Sequence, residues 1–325
     1  MIALSEIRAA ADRLAGTIHR TPVVSAHTIG AAAATPVELV LKCELFQKTG
    51  SFKVRGAINK IASLTDAERA RGLCTVSAGN HAAATAWAAR AAGAPCVVVM
   101  PTSAPRSKLA AVRAYGAEIV LHDDRATLFD RLYQVQAERG LTFVPPFDDP
   151  AVLAGAGTVG LEILDDVQGA AAIVVPVGGG GLLGGVASAV KAIAPATRVI
   201  AVELEAGPGL GPALAAGKPV PVPRPATLAD GMTPPFVGAL PLAITREAVD
   251  AIVTVTEAEI IAAMGLLMTR AKLFAEASGA AATAAILAGK IAAVGALPAG
   301  ARVVAIVSGG NVDPDRALAA LGGAS

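Results

Sequence analysis

Short runs of β-branched residues alternate along this chain with longer stretches that are rich in alanine. Because such alternation is typical of parallel strands joined by helices, the sequence predicts the α/β fold class. The predicted strands cover residues 38–42, 74–76, 96–100, 119–121, 172–177, 199–202, 251–255 and 303–307. Capping boxes are predicted at two helix starts, Thr65 with Glu68 and Thr256 with Glu259.

Chain length and composition limit both the architecture and the partners. A chain of 325 residues exceeds the size at which one hydrophobic core keeps growing, so two lobes are predicted. Hydrophobic residues make up 54% of the chain and charged residues 16%, with a formal net charge of +1. This balance allows a large core but gives no excess charge to attract nucleic acid or an anionic membrane, so neither partner is expected.

The sequence also favours a cytoplasmic location. The first 16 residues include four charged side chains, so they lack the uninterrupted apolar core of a signal peptide. Cys43, Cys74 and Cys96 are odd in number and lack C-x-x-C spacing. Reduced thiols in a cytoplasmic protein explain this pattern better than a disulfide or a zinc site.

The first candidate site is the segment around Lys53. Thr49, Gly50 and Ser51 are predicted to form a turn and an N-cap, which places Lys53 in the first turn of a helix. The positive end of the helix dipole favours the neutral, nucleophilic amine that forms a Schiff base. A lysine on an amphipathic helix is more often a solvated surface residue, so this interpretation depends on the other motifs.

A second candidate site follows the predicted strand 74–76, where the chain enters another helix. Ser77, the backbone of Gly79 and Asn80 offer hydrogen-bond donors near the start of that helix, which suits a substrate carboxylate. The alternative is a loop with an ordinary helix cap. For His81, a packed or solvent-facing imidazole without a chemical role is at least as good an interpretation as catalysis.

The third candidate site lies in the uncharged stretch 169–190. Because Pro176 and four consecutive glycines interrupt it, a strand, a glycine turn and a helix explain it better than a membrane span. Backbone amides in such a turn can bind phosphate. Gly179, Gly181 and Gly184 also satisfy G-x-G-x-x-G, with Glu203 near the spacing of a dinucleotide site, so this alternative stays open here.

A fourth element completes the set, because the predicted strand 303–307 ends in a serine, Ser308, followed by two glycines. A Schiff-base lysine, a carboxylate site, a phosphate loop and a hydroxyl at a strand end are together the parts of a pyridoxal-phosphate site. Dinucleotide binding explains only one of the four.

These motifs resemble those of the fold-type II pyridoxal-phosphate enzymes, and among them the threonine and serine dehydratases and serine racemase. The resemblance covers nearly the whole chain. Its most specific motifs are SFKVRGA around Lys53, SAGNH from Ser77, GGGGLL from Gly178, LADG from Leu228 and SGGN from Ser308.

The resemblance implies a two-lobed fold like that of the tryptophan synthase β subunit, in which each lobe is a parallel-rich sheet wrapped by helices. Residues 46–149 would form the small domain. Residues 1–45 and 150–325 would form the large domain, which binds the cofactor. The expected ligands are pyridoxal 5′-phosphate and a small amino acid, and the expected assembly is a homo-oligomer, a dimer.

The resemblance also assigns roles to individual residues. The implied cofactor-binding residues are Phe52, Lys53, Asn80, Gly178, Gly179, Gly180, Gly181, Leu182 and Ser308, and the implied catalytic residues are Lys53, Ser77 and Asn80. Phe52 would contact the cofactor ring, Asn80 its phenolic oxygen and Ser308 its pyridine nitrogen. The glycine loop and Leu182 would hold the phosphate.

The implied reaction is the dehydration and deamination of L-threonine or L-serine, which gives 2-oxobutanoate or pyruvate and ammonia. A serine racemase, or a dehydratase of another β-hydroxy amino acid, is the alternative within the family. Outside it, a nicotinamide-dependent oxidoreductase and a non-catalytic binding protein with the same fold are the remaining hypotheses.

The sequence departs from its relatives at several positions. Glu203 matches a cation ligand of some relatives, but glycine replaces a second acidic ligand at 209, so no metal is expected. Ala277 stands where proline is usual, which leaves the neighbouring Glu276 only a candidate cofactor contact. Ala78 replaces the second serine of the racemases, which supplies a proton on the cofactor face opposite the lysine.

Overall fold

A computed structural model describes residues 1–298 and 300–323 of the chain, and its strands form two separate sheets. The strands are β1 (Val23–Ser25), β2 (Glu38–Cys43), β3 (Leu73–Val76), β4 (Cys96–Pro101), β5 (Glu118–His122), β6 (Thr142–Phe143), β7 (Ala172–Pro176), β8 (Arg198–Leu204), β9 (Ala251–Val255) and β10 (Arg302–Val307). The large sheet has the order β1-β2-β10-β7-β8-β9 and the small sheet the order β5-β4-β3-β6. Every pairing except that of β1 with β2 is parallel.

Helices connect most of these strands. Their bounds are α1 (Leu4–Leu14), α2 (His27–Ala31), α3 (Lys53–Ala62), α4 (Asp66–Ala70), α5 (Asn80–Ala91), α6 (Arg106–Ala114), α7 (Leu128–Arg139), α8 (Pro150–Asp166), α9 (Gly181–Ile193), α10 (Leu210–Ala216), α11 (Ala239–Ala248), α12 (Glu257–Leu266), α13 (Ala277–Leu287) and α14 (Pro314–Gly322). Both predicted capping boxes are present, at the starts of α4 and α12. In the part of the chain that the structure describes, no helix combines the length and the apolar character needed to cross a bilayer.

The α/β class and all eight predicted strands are confirmed. The prediction missed β1 and β6, which span only three and two residues and are too short to produce a hydrophobic pattern. Strand β7 shows why the other strands were recognisable. Its residues Ala172 and Val174 pack in the core on one face of the large sheet, and Ile173 and Val175 pack on the other. Strands buried on both faces have continuous apolar sequences.

The strands of the two sheets come from different parts of the chain. All strands of the small sheet fall within residues 46–149, and all strands of the large sheet fall outside them. Helix α3 contributes Val54, Ala57 and Ile61 to the core of the small sheet. The domain boundaries at residues 46 and 149 stay predictions.

The order of the strands creates a place for a ligand. Strand β10 lies between β2 and β7, so the loops that leave the carboxyl ends of these neighbours diverge. Open parallel sheets bind ligands in the crevice outside such strand ends. The glycine loop after β7 and Ser308 after β10 both lie at this edge.

Candidate active site

One cleft brings together the residues that the motifs singled out. It opens to solvent, and about 1200 Å³ of space free of protein atoms, part of it open solvent, lies within it. The predicted site residues that line it are Phe52, Lys53, Ser77, Asn80, Gly178, Gly179, Gly180, Gly181, Leu182 and Ser308. These residues come from four distant stretches of the chain, so their convergence is a property of the fold. Their individual roles stay predictions.

A tight turn places Lys53 at the start of α3. Thr49 and Gly50 have φ angles of 62° and 72°, which confirms the predicted turn. The prediction that Ser51 caps the helix is wrong, because the N-cap position is Phe52 and no side chain caps it. The Ser51 hydroxyl is buried and has no hydrogen-bond partner among the described residues. The left-handed turn pulls Ser51 into extended backbone that bridges to Gly309 instead.

The amine of Lys53 is prepared for nucleophilic chemistry. Its Nζ donates a hydrogen bond of 2.8 Å to the carbonyl oxygen of Pro146. Burial lowers the pKa of Lys53 from 10.5 to about 8. Because burial disfavours the charged form, a larger fraction of this amine is neutral near neutral pH than for an exposed lysine. A neutral amine is the form that condenses with an aldehyde.

The glycine loop has the geometry of a phosphate site. Gly180 adopts φ 91° at the N-cap of α9, a conformation that side chains rarely tolerate. Gly179 packs against the ring of Phe147 so closely that a Cβ atom would overlap it. The first amides of α9 have no acceptor within the helix, so their N–H groups and the helix dipole favour a phosphate. The loop therefore fits the phosphate of pyridoxal phosphate.

The SAGN loop after β3 has the predicted strand-to-helix form. The N–H of Gly79 donates to Ser77 Oγ at 3.1 Å, and α5 begins at Asn80. The Asn80 side chain donates to Glu276 Oε1 at 2.5 Å and accepts from Asn311 Nδ2 at 2.9 Å. Partners on both sides of this amide therefore fix its orientation at the edge of the cleft.

Glu276 is a buried carboxyl at the same edge, and the sequence offered it only as a candidate cofactor contact. It precedes α13 and lies so close to Gly309 that a Cβ atom there would overlap Oε1. Burial raises the pKa of Glu276 from 4.5 to about 7, against the opposing effect of the Lys108 charge. The group therefore changes protonation state near neutral pH.

His81 is packed rather than solvent-facing. It is 3% exposed, and its Nε2 lies 3.1 Å from the carbonyl oxygen of Val144. Its Nδ1 has no hydrogen-bond partner within residues 1–298 and 300–323. Burial, with a smaller effect of the Lys53 charge, lowers the pKa of His81 to about 3. The imidazole is therefore neutral at physiological pH.

Ser308 connects the large sheet to the lysine segment. It is 5% exposed at the end of β10, and its carbonyl oxygen accepts a hydrogen bond of 3.1 Å from the N–H of Phe52. Its side chain lines the cleft beside Lys53 and the glycine loop. A hydroxyl at this position suits the pyridine nitrogen that the family resemblance assigns to it.

The carboxylate of Glu203 is occupied by the protein itself. Its Oε1 accepts hydrogen bonds from the N–H groups of Gly209 and Leu210 at 2.7 and 2.8 Å, where α10 begins. It therefore caps a helix, with Gly209 in the position of the missing acidic ligand. No group of three or more metal-ligating side chains suited to a cation occurs in the described part of the chain.

Several further residues of the cleft lie outside the sequence motifs. Lys108 of α6 forms an ion pair of 2.7 Å with Asp230 of the LADG motif. Arg125, Phe147 and Arg224 also line the cleft. Phe147 follows the short strand β6, and Arg224 lies in an irregular segment, so no periodic pattern marked either position.

Comparison with known proteins agrees with this site. The family described as "Pyridoxal-phosphate dependent enzyme" matches residues 14–309, so the chain belongs to that family and its cofactor is pyridoxal 5′-phosphate. The catabolic L-threonine dehydratase of Escherichia coli (strain K12) is 42% identical, over 97% of this chain and 94% of the relative. The family match favours binding of the pyridoxal phosphate group, rather than of a dinucleotide, at the glycine loop.

Solved structures give the same result for the fold. Maize serine racemase superposes with a TM-score of 0.91 at 37% identity, covering 99% of this chain and 98% of that structure. The threonine deaminase of T.th. superposes with a TM-score of 0.87 at 40% identity, covering 96% of this chain and 99% of that structure. The predicted fold-type II architecture is therefore confirmed.

Proposed function

We propose that this protein is a pyridoxal-phosphate-dependent ammonia-lyase that converts L-threonine, L-serine or both to 2-oxobutanoate or pyruvate and ammonia. The observation that carries the proposal is the position of Lys53. Its amine, with a pKa lowered to about 8, lines the same cleft as the glycine loop, the SAGN loop and Ser308. The threonine dehydratase and threonine deaminase relatives support this choice of reaction.

The substrate is held by the SAGN loop. Its carboxylate would accept hydrogen bonds from Ser77, Asn80 and the amides at the start of α5, where the helix dipole is positive. Pyridoxal phosphate, when bound, supplies an electron sink that weakens the bond to the α-hydrogen of the substrate. Lys53 takes that α-proton as general base, since its lowered pKa places it near the working range of such a base.

Ser308 directs the fate of the substrate. Its hydroxyl lies buried at the end of β10, and a hydroxyl, unlike a carboxylate, cannot keep a pyridine nitrogen protonated. Electron withdrawal from the substrate is then weaker, and negative charge on the substrate is relieved by loss of the β-hydroxyl. Ser308 therefore favours elimination over transamination.

Racemisation of serine is the second candidate function, because serine racemases are among the relatives. It requires proton transfer on both faces of the substrate. Ala78 lines the cleft and has only a methyl group to offer there. This position favours the lyase.

We also propose that the enzyme is cytoplasmic. The support for this location is that Cys43, Cys74 and Cys96 are buried free thiols, the state that a reducing compartment maintains.

A dimer is the proposed assembly. Phe46 and Phe274 are 49% and 38% exposed. The segments that carry them meet at Gly310, where an added Cβ atom would contact the Phe274 carbonyl oxygen and the side chain of Leu45, the residue before Phe46. Exposed apolar side chains on neighbouring segments are a feature of association surfaces. Light scattering coupled to size-exclusion chromatography measures the assembly, and a monomer would contradict the proposal.

A panel of β-hydroxy amino acids tests the proposed reaction. Purified enzyme with pyridoxal phosphate should release ammonia and a 2-oxo acid in equal amounts from L-threonine or L-serine. The D-enantiomers serve as matched controls, because their α-hydrogen points away from the lysine side of the cleft. No ammonia from either L-substrate would overturn the proposed function.

A further inference from the structure

The side chain of Asn311 joins three segments of the site, although the proposed reaction gives it no role. Asn311 ends the SGGN motif, and its Nδ2 atom donates to the carbonyl oxygen of Thr49 at 2.7 Å and to Asn80 Oδ1 at 2.9 Å. Thr49 belongs to the turn before Lys53, and Asn80 begins α5. One amide nitrogen thus connects the lysine turn, the SAGN loop and the segment that follows β10.

The lysine turn holds the Asn311 amide in place. The N–H of Gly310 donates to the carbonyl oxygen of Gly50 at 2.9 Å, which ties the backbone of the two segments together. Gly50 has a φ angle of 72°, and a Cβ atom there would overlap Asn311 Oδ1. Glycine at position 50 therefore permits the left-handed turn and also makes room for the Asn311 side chain.

The same contacts determine which way each amide points. The Thr49 carbonyl can only accept a hydrogen bond, so the Asn311 atom that faces it must be the nitrogen. The second hydrogen of that nitrogen needs an acceptor, so the Asn80 atom beside it must be the oxygen. The nitrogen of Asn80 then faces Glu276 Oε1 at 2.5 Å. A backbone carbonyl, which cannot exchange acceptor for donor, thus sets the orientation of Asn80.

Glu276 alone would not hold Asn80 in this orientation at every pH. The carboxylate form of Glu276 only accepts hydrogen bonds, whereas the protonated form can also donate to an amide oxygen. Its buried carboxyl has a pKa of about 7, so both forms are populated near neutral pH. Without Asn311, Asn80 could turn its oxygen towards a protonated Glu276. With Asn311 in place, that turn would break one hydrogen bond and bring two N–H groups face to face.

The titratable and charged groups around Glu276 do not set the orientation of Asn80. They come from the starts of α5, α3 and α14, from α6 and from the LADG motif, and they are His81, Lys53, Asp313, Arg316, Lys108 and Asp230. Lys108 and Asp230 are paired with each other at 2.7 Å. Among residues 1–298 and 300–323, only Glu276 and Asn311 form hydrogen bonds with the Asn80 side chain.

The orientation of Asn80 matters for the cofactor. One N–H of its amide donates to Glu276, which leaves the other for a ligand in the cleft that Asn80 lines. The family resemblance assigns to Asn80 the phenolic oxygen of pyridoxal phosphate, which is an acceptor. An Asn80 turned by half a rotation would present its own oxygen to that acceptor, and binding would weaken.

We infer that Asn311 is a positioning residue that keeps Asn80 a donor towards pyridoxal phosphate whatever the protonation state of Glu276. The inference rests on the cofactor contact assigned to Asn80 within the proposed function, and it holds for any amino-acid substrate. It explains why a carboxyl that titrates near neutral pH can lie beside the cofactor site without making cofactor binding depend on its proton.

The first test measures the Kd of pyridoxal phosphate by equilibrium dialysis of the wild-type and Asn311→Ala holoenzymes. The two pH values are about 6 and about 8.5, on either side of the Glu276 pKa. The ratio of variant to wild type cancels the titration of the cofactor itself. We expect a ratio of about 3- to 10-fold at the lower pH, where protonated Glu276 attracts the Asn80 oxygen, and less than about twofold at the higher pH. Asn311→Asp, which has nearly the same size but no donor, should show the same trend.

Glu276→Gln supplies the matched background. Glutamine has the shape of the protonated acid, can offer Asn80 either an oxygen or a nitrogen, and does not titrate. The effect of Asn311→Ala in this background should therefore be the same at both pH values. A dependence on pH that persists in the Glu276→Gln background would come from another group, and it would overturn the inference.

The stability of the cofactor-free protein gives a second readout. In Asn311→Ala, protonated Glu276 can donate to Asn80, so the pKa of Glu276 should rise further. A group with a raised pKa adds stability that is lost as pH rises through that pKa. The pH at which urea unfolding shows this loss should therefore be about 0.5–1 pH unit higher than in the wild type. Lower pH thus makes the variant relatively more stable while it binds the cofactor relatively more weakly, whereas a general packing defect would move both quantities in the same direction.

The remaining outcomes separate this inference from the proposed function. Equal Kd ratios at the two pH values would overturn the inference, because Asn311 would then support the structure without setting the orientation of Asn80. Unchanged cofactor binding by Asn80→Ala would also overturn it, since no orientation of that amide would then matter. If the ratios follow the prediction but the wild-type holoenzyme releases no ammonia from threonine or serine, the inference stands and the proposed function fails.

Discussion

Arg55 and Glu44 form an ion pair in which neither side chain is exposed to solvent, with Arg55 Nε 2.8 Å from Glu44 Oε2. Arg55 lies two residues after Lys53 on α3, and it also bonds Glu162 of α8 at 2.7 Å. The group thus has two carboxylates, and Lys42 supplies the second positive charge through a contact of 2.6 Å with Glu162. The network ties the start of the lysine helix to β2 and α8, so it fixes the position of Lys53.

Removing Arg55 should therefore be costly. Arg55→Met leaves the Glu44 carboxylate buried without its counter-charge, and we expect the free energy of unfolding to fall by about 3–5 kcal/mol. The matched control is Arg139→Met, which removes an exposed pair with Glu118 and should cost at most about 1 kcal/mol. Urea unfolding of both variants measures the difference. Equal costs would show that burial of the Arg55 network is unimportant for stability.

Glu276 should make the stability of the cofactor-free protein depend on pH. Its pKa is about 7 in the folded protein and 4.5 ordinarily, so the folded state binds more protons between these values. The contribution is fully present below about pH 4.5 and is lost as pH rises through about 7, with a size of about 3 kcal/mol. Unfolding of the wild type and Glu276→Gln at pH values across this window checks the sign. A wild type that gains stability relative to the variant with rising pH would contradict it.

A carboxylate at position 308 should change the reaction. Ser308→Asp keeps the pyridine nitrogen protonated, which stabilises negative charge on the substrate and diverts flux from elimination towards transamination. The ratio of ammonia release to pyridoxamine phosphate formation measures this partition. Ser308→Ala, which also lacks a carboxylate, is the matched control and should keep the wild-type ratio. An unchanged ratio in a folded Ser308→Asp protein would count against the assigned role.

Ala78 should keep the enzyme from racemising its substrate. Lys53 serves one face, and the methyl group of Ala78 has no proton to exchange on the other. Incubation with L-serine in heavy water should give little D-serine from the wild type and a clear increase from Ala78→Ser. Substantial D-serine from the wild type would refute the assignment.

The fold could be predicted from the sequence because its strands are buried on both faces. Ile173 and Val175 pack on one side of β7 and Ala172 and Val174 on the other, so the whole strand is apolar and visible as a run. The three glycine- and serine-rich loops could be located for a related reason. Each directly follows such a strand, at Ser77, Gly178 and Ser308.

The remaining parts of the site depend on contacts between distant residues. Arg224 and Arg125 are 99 positions apart, and Lys108 and Asp230 are 122 apart. Residues 219–225 form a proline-rich connection without a helix or strand, yet Val222 is buried there and Arg224 lines the cleft. No local pattern distinguishes such an arginine from a solvated one. Local rules also failed at Ser51, where the left-handed turn before it outweighed its preference for an N-cap.

The covalent attachment of pyridoxal phosphate to Lys53 is the central claim, and one measurement tests it directly. The holoenzyme is reduced with borohydride, digested and analysed by mass spectrometry, alongside Lys53→Ala and the control Lys60→Ala from the same helix. We predict a cofactor adduct on Lys53 in the wild type and in Lys60→Ala, and neither an adduct nor threonine dehydration in Lys53→Ala. An adduct on another lysine, or near-normal dehydration by Lys53→Ala, would contradict the account.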